Sequence, residues 1–168
     1  MRWIAEDLGE LTEGVHRLRR RAGIPGMRVM QFAFGGDVQD PFLPHNYEKC
    51  TVAYLGTHDN DTTAGWWSTC PAAEKRRAAA YLGISARSGP RTAVRAMMRA
   101  VSASVAERVI FTLADVSAAG SESRINTPGR GTGCWMYRAP DGYASAEDTA
   151  YLAQVTEIYG RKRTHERD

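Results

Sequence analysis

A cluster of polar side chains follows one short apolar run, and its residue types are those that bind or transform a polar substrate. The apolar run covers residues 51–55 and is ended by Gly56, which is typical of a buried strand. Several polar side chains at the carboxyl end of a buried strand predict a binding or catalytic site. The alternative is an Asx-rich turn that caps the next helix, since Asp, Asn and Thr side chains all bond local backbone. The cluster contains an imidazole, two carboxylates, an amide and two hydroxyls, from His58, Asp59, Asn60, Asp61, Thr62 and Thr63.

Strands and helices alternate along the chain, which predicts an α/β fold with parallel strands joined by crossover helices. We predict about four strands, which end near residues 5, 34, 55 and 113, and a last helix that a capping box opens at Ser145. Polar residues follow each strand, as at the active-site end of a (β/α)₈ barrel. A complete barrel takes about 250 residues and eight strands, so the 168 residues of this chain predict half of one. The polar residues that follow the strands are Glu6, Asp7, Asp37, His58, Asp59 and Asp115.

Composition and charge are those of one ordinary globular domain. Hydrophobic residues make up 43% of the chain, and no run approaches the roughly 20 apolar residues of a membrane span. The first residues include acids where a secretory signal would be apolar, which predicts a cytoplasmic location. The three cysteines are too widely spaced to indicate a disulfide framework or a zinc site. The net charge is +3 and the basic clusters contain no stacking aromatics, so nucleic-acid binding is not predicted.

Five motifs occur in one order along the chain, in residues 5–9 (AEDLG), 26–32 (GMRVMQF), 43–47 (LPHNY), 56–66 (GTHDNDTTAGW) and 124–129 (RINTPG). Together they closely resemble the carboxyl-terminal part of the 4-α-glucanotransferases, or amylomaltases, of glycoside hydrolase family 77. The resemblance covers nearly the whole chain. It implies that residues 1–168 form a single partial catalytic domain, the C-terminal half of a (β/α)₈ TIM barrel.

The resemblance also implies an activity and a set of site residues. The family transfers a segment of an α-1,4-glucan to the 4-hydroxyl of an acceptor sugar, with retention and without a metal or other cofactor. By resemblance Glu6 is the general acid/base, Asp59 stabilises the transition state, and His58 and Asn126 bind sugar. These residue types suit a retaining mechanism, which needs one protonated carboxyl and others ionised beside an oxocarbenium-like centre. The expected partners are α-1,4-glucans and maltooligosaccharides, with glucose or an oligosaccharide as acceptor.

The chain departs from the family where the nucleophile is expected. The family's nucleophilic aspartate ends the preceding strand in an Arg-x-Asp motif, and no such motif stands before Glu6. We therefore expect the chain alone to be inactive and its partner to be a missing amino-terminal half. Residues 131–135 depart as well, because Cys134 stands where the family has the asparagine of Gly-Asn-Trp.

Two other classes of function stay open. Residues 59–63 fit the Asp-x-Asp-x-Thr motif of haloacid-dehalogenase phosphatases, whose first Asp attacks phosphorus with the help of Mg²⁺, although residues 56–58 separate that Asp from its strand. A metal phosphohydrolase that uses His58 and Asp59 would need further ligands from His16, His45 or His165. The second class is non-catalytic, either an inert remnant or one subunit of a split barrel.

Overall fold

A three-stranded parallel sheet is the framework of the computed structural model, which describes residues 3–162. The strands lie in the order β1 (Gly26–Val29), β2 (Thr51–Tyr54) and β3 (Arg108–Ile110). Gly26 pairs with Thr51 and Val52 pairs with Arg108. Because the strands are parallel, their carboxyl ends all lie at the same end of the sheet. The predicted α/β class with parallel strands is confirmed.

Within the described range, α-helices form the crossover from β2 to β3, whereas the connection from β1 to β2 contains two 3₁₀ turns and no α-helix, so the predicted crossover helices are found in only one of the two connections. The first helix, α1, precedes the sheet, three helices connect β2 to β3, and two follow β3. The capping box predicted at Ser145 is confirmed, since Ser145 and Asp148 each bind the other's backbone N–H at the start of α6. No helix in residues 3–162 is long and apolar enough to cross a membrane. The helices are α1 (Glu13–Arg21), α2 (Thr63–Thr69), α3 (Ala72–Leu82), α4 (Pro90–Ser102), α5 (Leu113–Ser117) and α6 (Ala146–Ile158).

The prediction of four strands is wrong for the described residues, which contain three. Residues 3–5 are not a strand, although Ala5 N donates to Pro25 O at 2.9 Å beside β1. A strand needs a ladder of such bonds, which this segment does not form with β1. The second predicted strand ends at Val29, because Met30–Phe32 forms a 3₁₀ turn.

The hydrophobic core lies between the sheet and helices α2, α3 and α4. Trp67 of α2 is fully buried in it, and its indole Nε1 donates to Ser88 O at 2.9 Å, so its polar atom is satisfied. Met97 and Met98 of α4 are buried against the same cluster. This packing fixes α2, and with it the polar turn that precedes α2.

Large apolar side chains are exposed at both outer sides of the sheet. Ile110 of β3 and Leu113 just after it are exposed, as are Trp3, Ile4 and Leu18 on the side of β1. Unpaired strand edges with exposed apolar neighbours are surfaces on which further chain can pair and pack. In the described residues, no further strand pairs with the outer side of β1 or of β3.

Candidate active site

The turn between β2 and α2 is folded by its own side chains. Asn60 Oδ1 accepts hydrogen bonds from Thr57 N at 2.8 Å and Thr57 Oγ1 at 2.9 Å. Thr62 Oγ1 accepts from Gly65 N at 3.1 Å and caps α2. The capping alternative is therefore correct for Asn60 and Thr62. His58 and Asp59 remain accessible, with 46% and 41% of their side chains exposed.

Three of the four predicted site residues come together beside this turn. His58 Nε2 lies 3.4 Å from Asp59 Oδ1, and Asn126 Nδ2 donates to the same oxygen at 2.5 Å. Arg124 joins them, because its Nη2 donates to Asp59 O at 2.9 Å and its Nε donates to Asn126 O at 2.7 Å. We call His58, Asp59, Arg124 and Asn126 the Asp59 cluster. Within residues 3–162 the side-chain partners of Asp59 bind Oδ1, which leaves Oδ2 able to accept from a ligand's hydroxyl groups.

Within residues 3–162, no contact links Glu6 to the Asp59 cluster. Glu6 is exposed, and the segment that carries it lies alongside the first residues of β1. Its neighbour Asp7 fixes the segment there, since Asp7 Oδ1 accepts from Met27 N at 2.6 Å. Asp7 Oδ2 lies 3.3 Å from Arg19 Nε and 3.4 Å from Arg28 Nη1, and all three side chains are largely buried. Asp7 therefore determines where Glu6 can lie.

Gly26→Ala is expected to destabilise the protein by displacing Asp7. A Cβ at Gly26 would lie 2.2 Å from Asp7 Oδ2, so the buried carboxylate would have to leave its two arginines. Breaking such a network costs about 2–4 kcal/mol of unfolding free energy, which urea denaturation measures. The matched control is Gly35→Ala, where a Cβ would meet no atom within 4 Å. Equal urea-denaturation midpoints for Gly26→Ala and Gly35→Ala would contradict this role of Asp7.

A buried network behind the turn is organised by Asp115, which is only 2% exposed. Thr63 Oγ1 donates to Asp115 Oδ1 at 2.6 Å, and Thr112 N and Oγ1 both donate to Oδ2 at 2.8 Å. Gln31 Nε2 donates in turn to Thr63 Oγ1 at 3.2 Å. Burial nevertheless raises the pKa of the Asp115 carboxyl, although these hydrogen bonds oppose the shift. The network joins the end of β1 to the first turns of α2 and α5.

Asp115→Asn is expected to preserve the fold at pH 7 and to remove one source of pH dependence. An acid whose folded-state pKa is raised contributes stability that is fully present below its unfolded pKa of about 3.9 and is lost as pH rises through the folded pKa. In the variant the amide oxygen can accept from Thr112, and the amide nitrogen can donate to Thr63 Oγ1. Relative to the wild type, Asp115→Asn should therefore gain stability as pH rises from 4 to 7.

The control for this substitution is Asp115→Ala, which leaves the buried donors of Thr112 and Thr63 without their acceptor. We expect it to cost about 2 kcal/mol at pH 7, whereas Asp115→Asn stays within about 1 kcal/mol of the wild type. Urea denaturation of all three proteins at pH 4 and pH 7 measures both effects. A larger loss for Asp115→Asn than for Asp115→Ala would show that the network is assigned wrongly.

The same network borders a cavity of about 270 Å³. Its wall includes Thr57, His58, Asp61, Asp115 and Tyr143, whereas Asp59 and Asn126 lie outside the lining. Two members of the Asp59 cluster, His58 and Arg124, thus line the cavity. The cavity therefore adjoins the Asp59 cluster, although Asp59 itself does not line it.

Of the acids that follow the predicted strands, several have structural partners. Asp37 Oδ1 accepts from Gln39 N at 2.8 Å, and Asp61 binds Thr62 N and Ser121 Oγ. Asp7 and Asp115 are buried. Within the described residues, no three His, Cys, Asp or Glu side chains are grouped so that they could hold a metal ion.

Sequence reasoning assigned no role to Arg124 or Trp135, which both lie at the cluster. Arg124 could have been found, because it stands two residues before Asn126 in the same motif. The Trp135 indole lies 5.3 Å from the His58 ring between centroids, with 38° between the ring planes. Its φ of 63° is in the left-handed region, which costs a non-glycine residue of order 1–3 kcal/mol. No local pattern signals that contact.

Comparison with known proteins connects this arrangement to one family. A family model described as 4-alpha-glucanotransferase, glycoside hydrolase family 77, matches residues 1–144. The 4-alpha-glucanotransferase of Clostridium butyricum is 45% identical over 159 residues, which are 94% of this chain and 32% of that protein. The chloroplastic/amyloplastic 4-alpha-glucanotransferase of Solanum tuberosum is 42% identical over 161 residues, which are 94% of this chain and 27% of that protein.

A solved structure agrees with these matches. The amylomaltase from Streptococcus agalactiae in complex with acarbose superposes with a TM-score of 0.85 at 32% sequence identity. The match covers 95% of this chain and 32% of the streptococcal chain. The chain therefore spans about a third or less of the length of these relatives.

Proposed function

The chain belongs to the 4-alpha-glucanotransferase family, glycoside hydrolase family 77, and on that basis we propose that it supplies part of the active site of a retaining glucan transferase. The observation that carries the proposal is the Asp59 carboxylate, held by His58 Nε2 and Asn126 Nδ2 on an accessible turn. In this proposal Asp59 stabilises the transition state, while His58 and Asn126 bind the donor sugar. Glu6, from the motif in residues 5–9, is the general acid/base.

The proposed roles follow the course of a retaining transfer. Glu6 donates a proton to the departing glycosidic oxygen and later accepts one from the 4-hydroxyl of the acceptor. As the donor sugar flattens and gains positive charge at its anomeric carbon, the ionised Asp59 stabilises that charge and accepts from the sugar's hydroxyl groups. Asn126 keeps Asp59 oriented by donating to one of its oxygens, so little reorganisation is needed when the charge develops.

We propose that the described fold is the C-terminal half of a (β/α)₈ barrel and that residues 1–168 are a single partial catalytic domain. The parallel sheet, its open edges and the relatives' greater length support this assignment. No Arg-x-Asp motif precedes Glu6 in these residues, so in this proposal the 168-residue polypeptide on its own lacks the nucleophilic aspartate that forms the covalent glycosyl intermediate. It should require an amino-terminal half.

The proposed donors are α-1,4-glucans and maltooligosaccharides, and the proposed acceptors are glucose or an oligosaccharide. The acarbose complex of the streptococcal amylomaltase supports a saccharide ligand. The predicted cytoplasmic location stays a prediction, since one of the relatives is described as chloroplastic/amyloplastic.

Two assays test the proposal. In the first, the 168-residue polypeptide is incubated with maltotriose. We expect the maltotriose to remain unchanged, with neither longer nor shorter saccharides formed. In the second, this chain replaces the matched segment of the Clostridium butyricum enzyme, and we expect that chimera to disproportionate maltotriose. A folded but inactive chimera would overturn the proposed function and favour an inert remnant. Turnover by the chain alone would overturn the need for a partner.

A further inference from the structure

One large aromatic side chain lies exposed at the edge of the Asp59 cluster. The indole of Trp135 is 63% exposed, and its ring centroid is 5.3 Å from that of His58. By contrast, Trp67 is buried and Trp66 packs on Phe34 with 5.7 Å between ring centroids. Trp135 thus presents an apolar surface to solvent directly beside polar groups that face the same solvent.

The backbone holds Trp135 in register with Asn126. Trp135 N donates to Ile125 O at 2.6 Å, which is the carbonyl immediately before Asn126. Gly133, two residues earlier, and Trp135 itself both have left-handed φ values, of 77° and 63°. A bulky residue persists in that conformation when the surroundings determine it, so the indole has a defined place relative to the cluster.

The pairing of an aromatic face with hydrogen-bonding groups matches the chemistry of a glucose ring. A pyranose presents C–H bonds on its faces and hydroxyl groups around its edge. The Asp59 cluster supplies donors and acceptors for the edge, and the indole supplies a flat, apolar surface for a face. The two kinds of surface are close enough for one ring, or two linked rings, to contact both.

We propose that Trp135 is a stacking surface for one glucose ring of an α-1,4-glucan that the Asp59 cluster holds. This inference rests on the proposed function, because it takes the glucan from it. It adds a substrate-binding residue in the segment where Cys134 replaces the expected asparagine. The apolar contact made by Trp135 then provides binding that does not depend on that asparagine.

The test uses maltoheptaose as the ligand and the ¹⁵N-labelled 168-residue chain. The chain has four tryptophans, and Trp135→Phe identifies the Trp135 indole signal by its loss. We expect titration with maltoheptaose to shift the Trp135 indole and His58 ring signals together, and to leave the buried Trp67 signal in place. Trp135→Gly should keep the fold, because glycine adopts the same φ without strain, and should weaken binding about tenfold.

Two variants separate stacking from general disturbance of the loop. Trp135→Phe keeps an aromatic face and should weaken binding by less than about threefold. Met136→Ala changes an exposed, non-aromatic neighbour and should leave the affinity unchanged. A shift at His58 without one at Trp135 would overturn the stacking surface but not the proposed function. Absence of any shift would overturn the inference, whereas the proposed function is tested separately by the turnover of the chimera.

Discussion

Glu6→Gln is expected to slow maltotriose disproportionation by the chimera with the Clostridium butyricum enzyme by about 10³-fold. Glutamine keeps the size of the side chain but can neither protonate the departing oxygen nor deprotonate the acceptor. The initial rate of glucose release from maltotriose measures the loss. The matched control is Glu10→Gln, an exposed acid that no motif includes, which should retain full activity.

A general acid/base has a signature that a structural residue lacks. Fluoride leaves without protonation, so α-maltosyl fluoride should restore the first chemical step in Glu6→Gln. Azide attacks without a general base, so adding it should yield an α-maltosyl azide from the same variant. Equal losses with maltotriose and with the fluoride would contradict the assignment of Glu6.

Asp59→Asn is expected to lower transfer by about 10³-fold, or about 4 kcal/mol of transition-state stabilisation. The substitution removes the negative charge. It also places an amide opposite the Asn126 side chain, whose Nδ2 donates to Asp59 Oδ1 in the unsubstituted protein. Since the charge on the sugar develops with either leaving group, α-maltosyl fluoride should give no recovery. This contrast with Glu6→Gln separates the two roles.

The control for Asp59 is Asp37→Asn, an exposed acid whose carboxylate accepts from Gln39 N in a loop. Its kcat and KM for maltotriose should equal those of the unsubstituted chimera. Acarbose binding gives a second readout, since Asp59→Asn should weaken it more than Asp37→Asn does. Full activity in Asp59→Asn would remove Asp59 from the mechanism.

The sequence predicts those parts of the site that a pattern among neighbouring residues indicates. An apolar run that ends in Gly56 predicts β2, and the polar residues after it predict the turn that carries His58 and Asp59. Asn126 comes from the resemblance alone, because nothing near it in sequence points to Asp59. The hydrogen bond between them confirms that the two motifs meet, while their roles in transfer stay predictions.

Other features depend on contacts that are distant in sequence. The strand predicted to reach residue 34 ends at Val29, where a 3₁₀ turn begins, and the side chain of Gln31 in that turn donates to Asp61 O and to Thr63 Oγ1. Acids of similar local pattern have different surroundings, since Asp115 is buried and Asp59 is half-buried with 41% of its side chain exposed. Composition and periodicity carry no information that separates them.

The Asp59 cluster spans a long stretch of chain, since the Asp59 and Asn126 side chains that bond each other are 67 residues apart. During synthesis at about 5–20 residues per second, several seconds pass between the appearance of one and that of the other. The Asp59 cluster therefore cannot form on a nascent chain until β3 and the segment after it have emerged and docked. Under the proposed function, a saccharide would bind only the folded site, and at a concentration 100 times its dissociation constant it would stabilise that fold by about 2.7 kcal/mol.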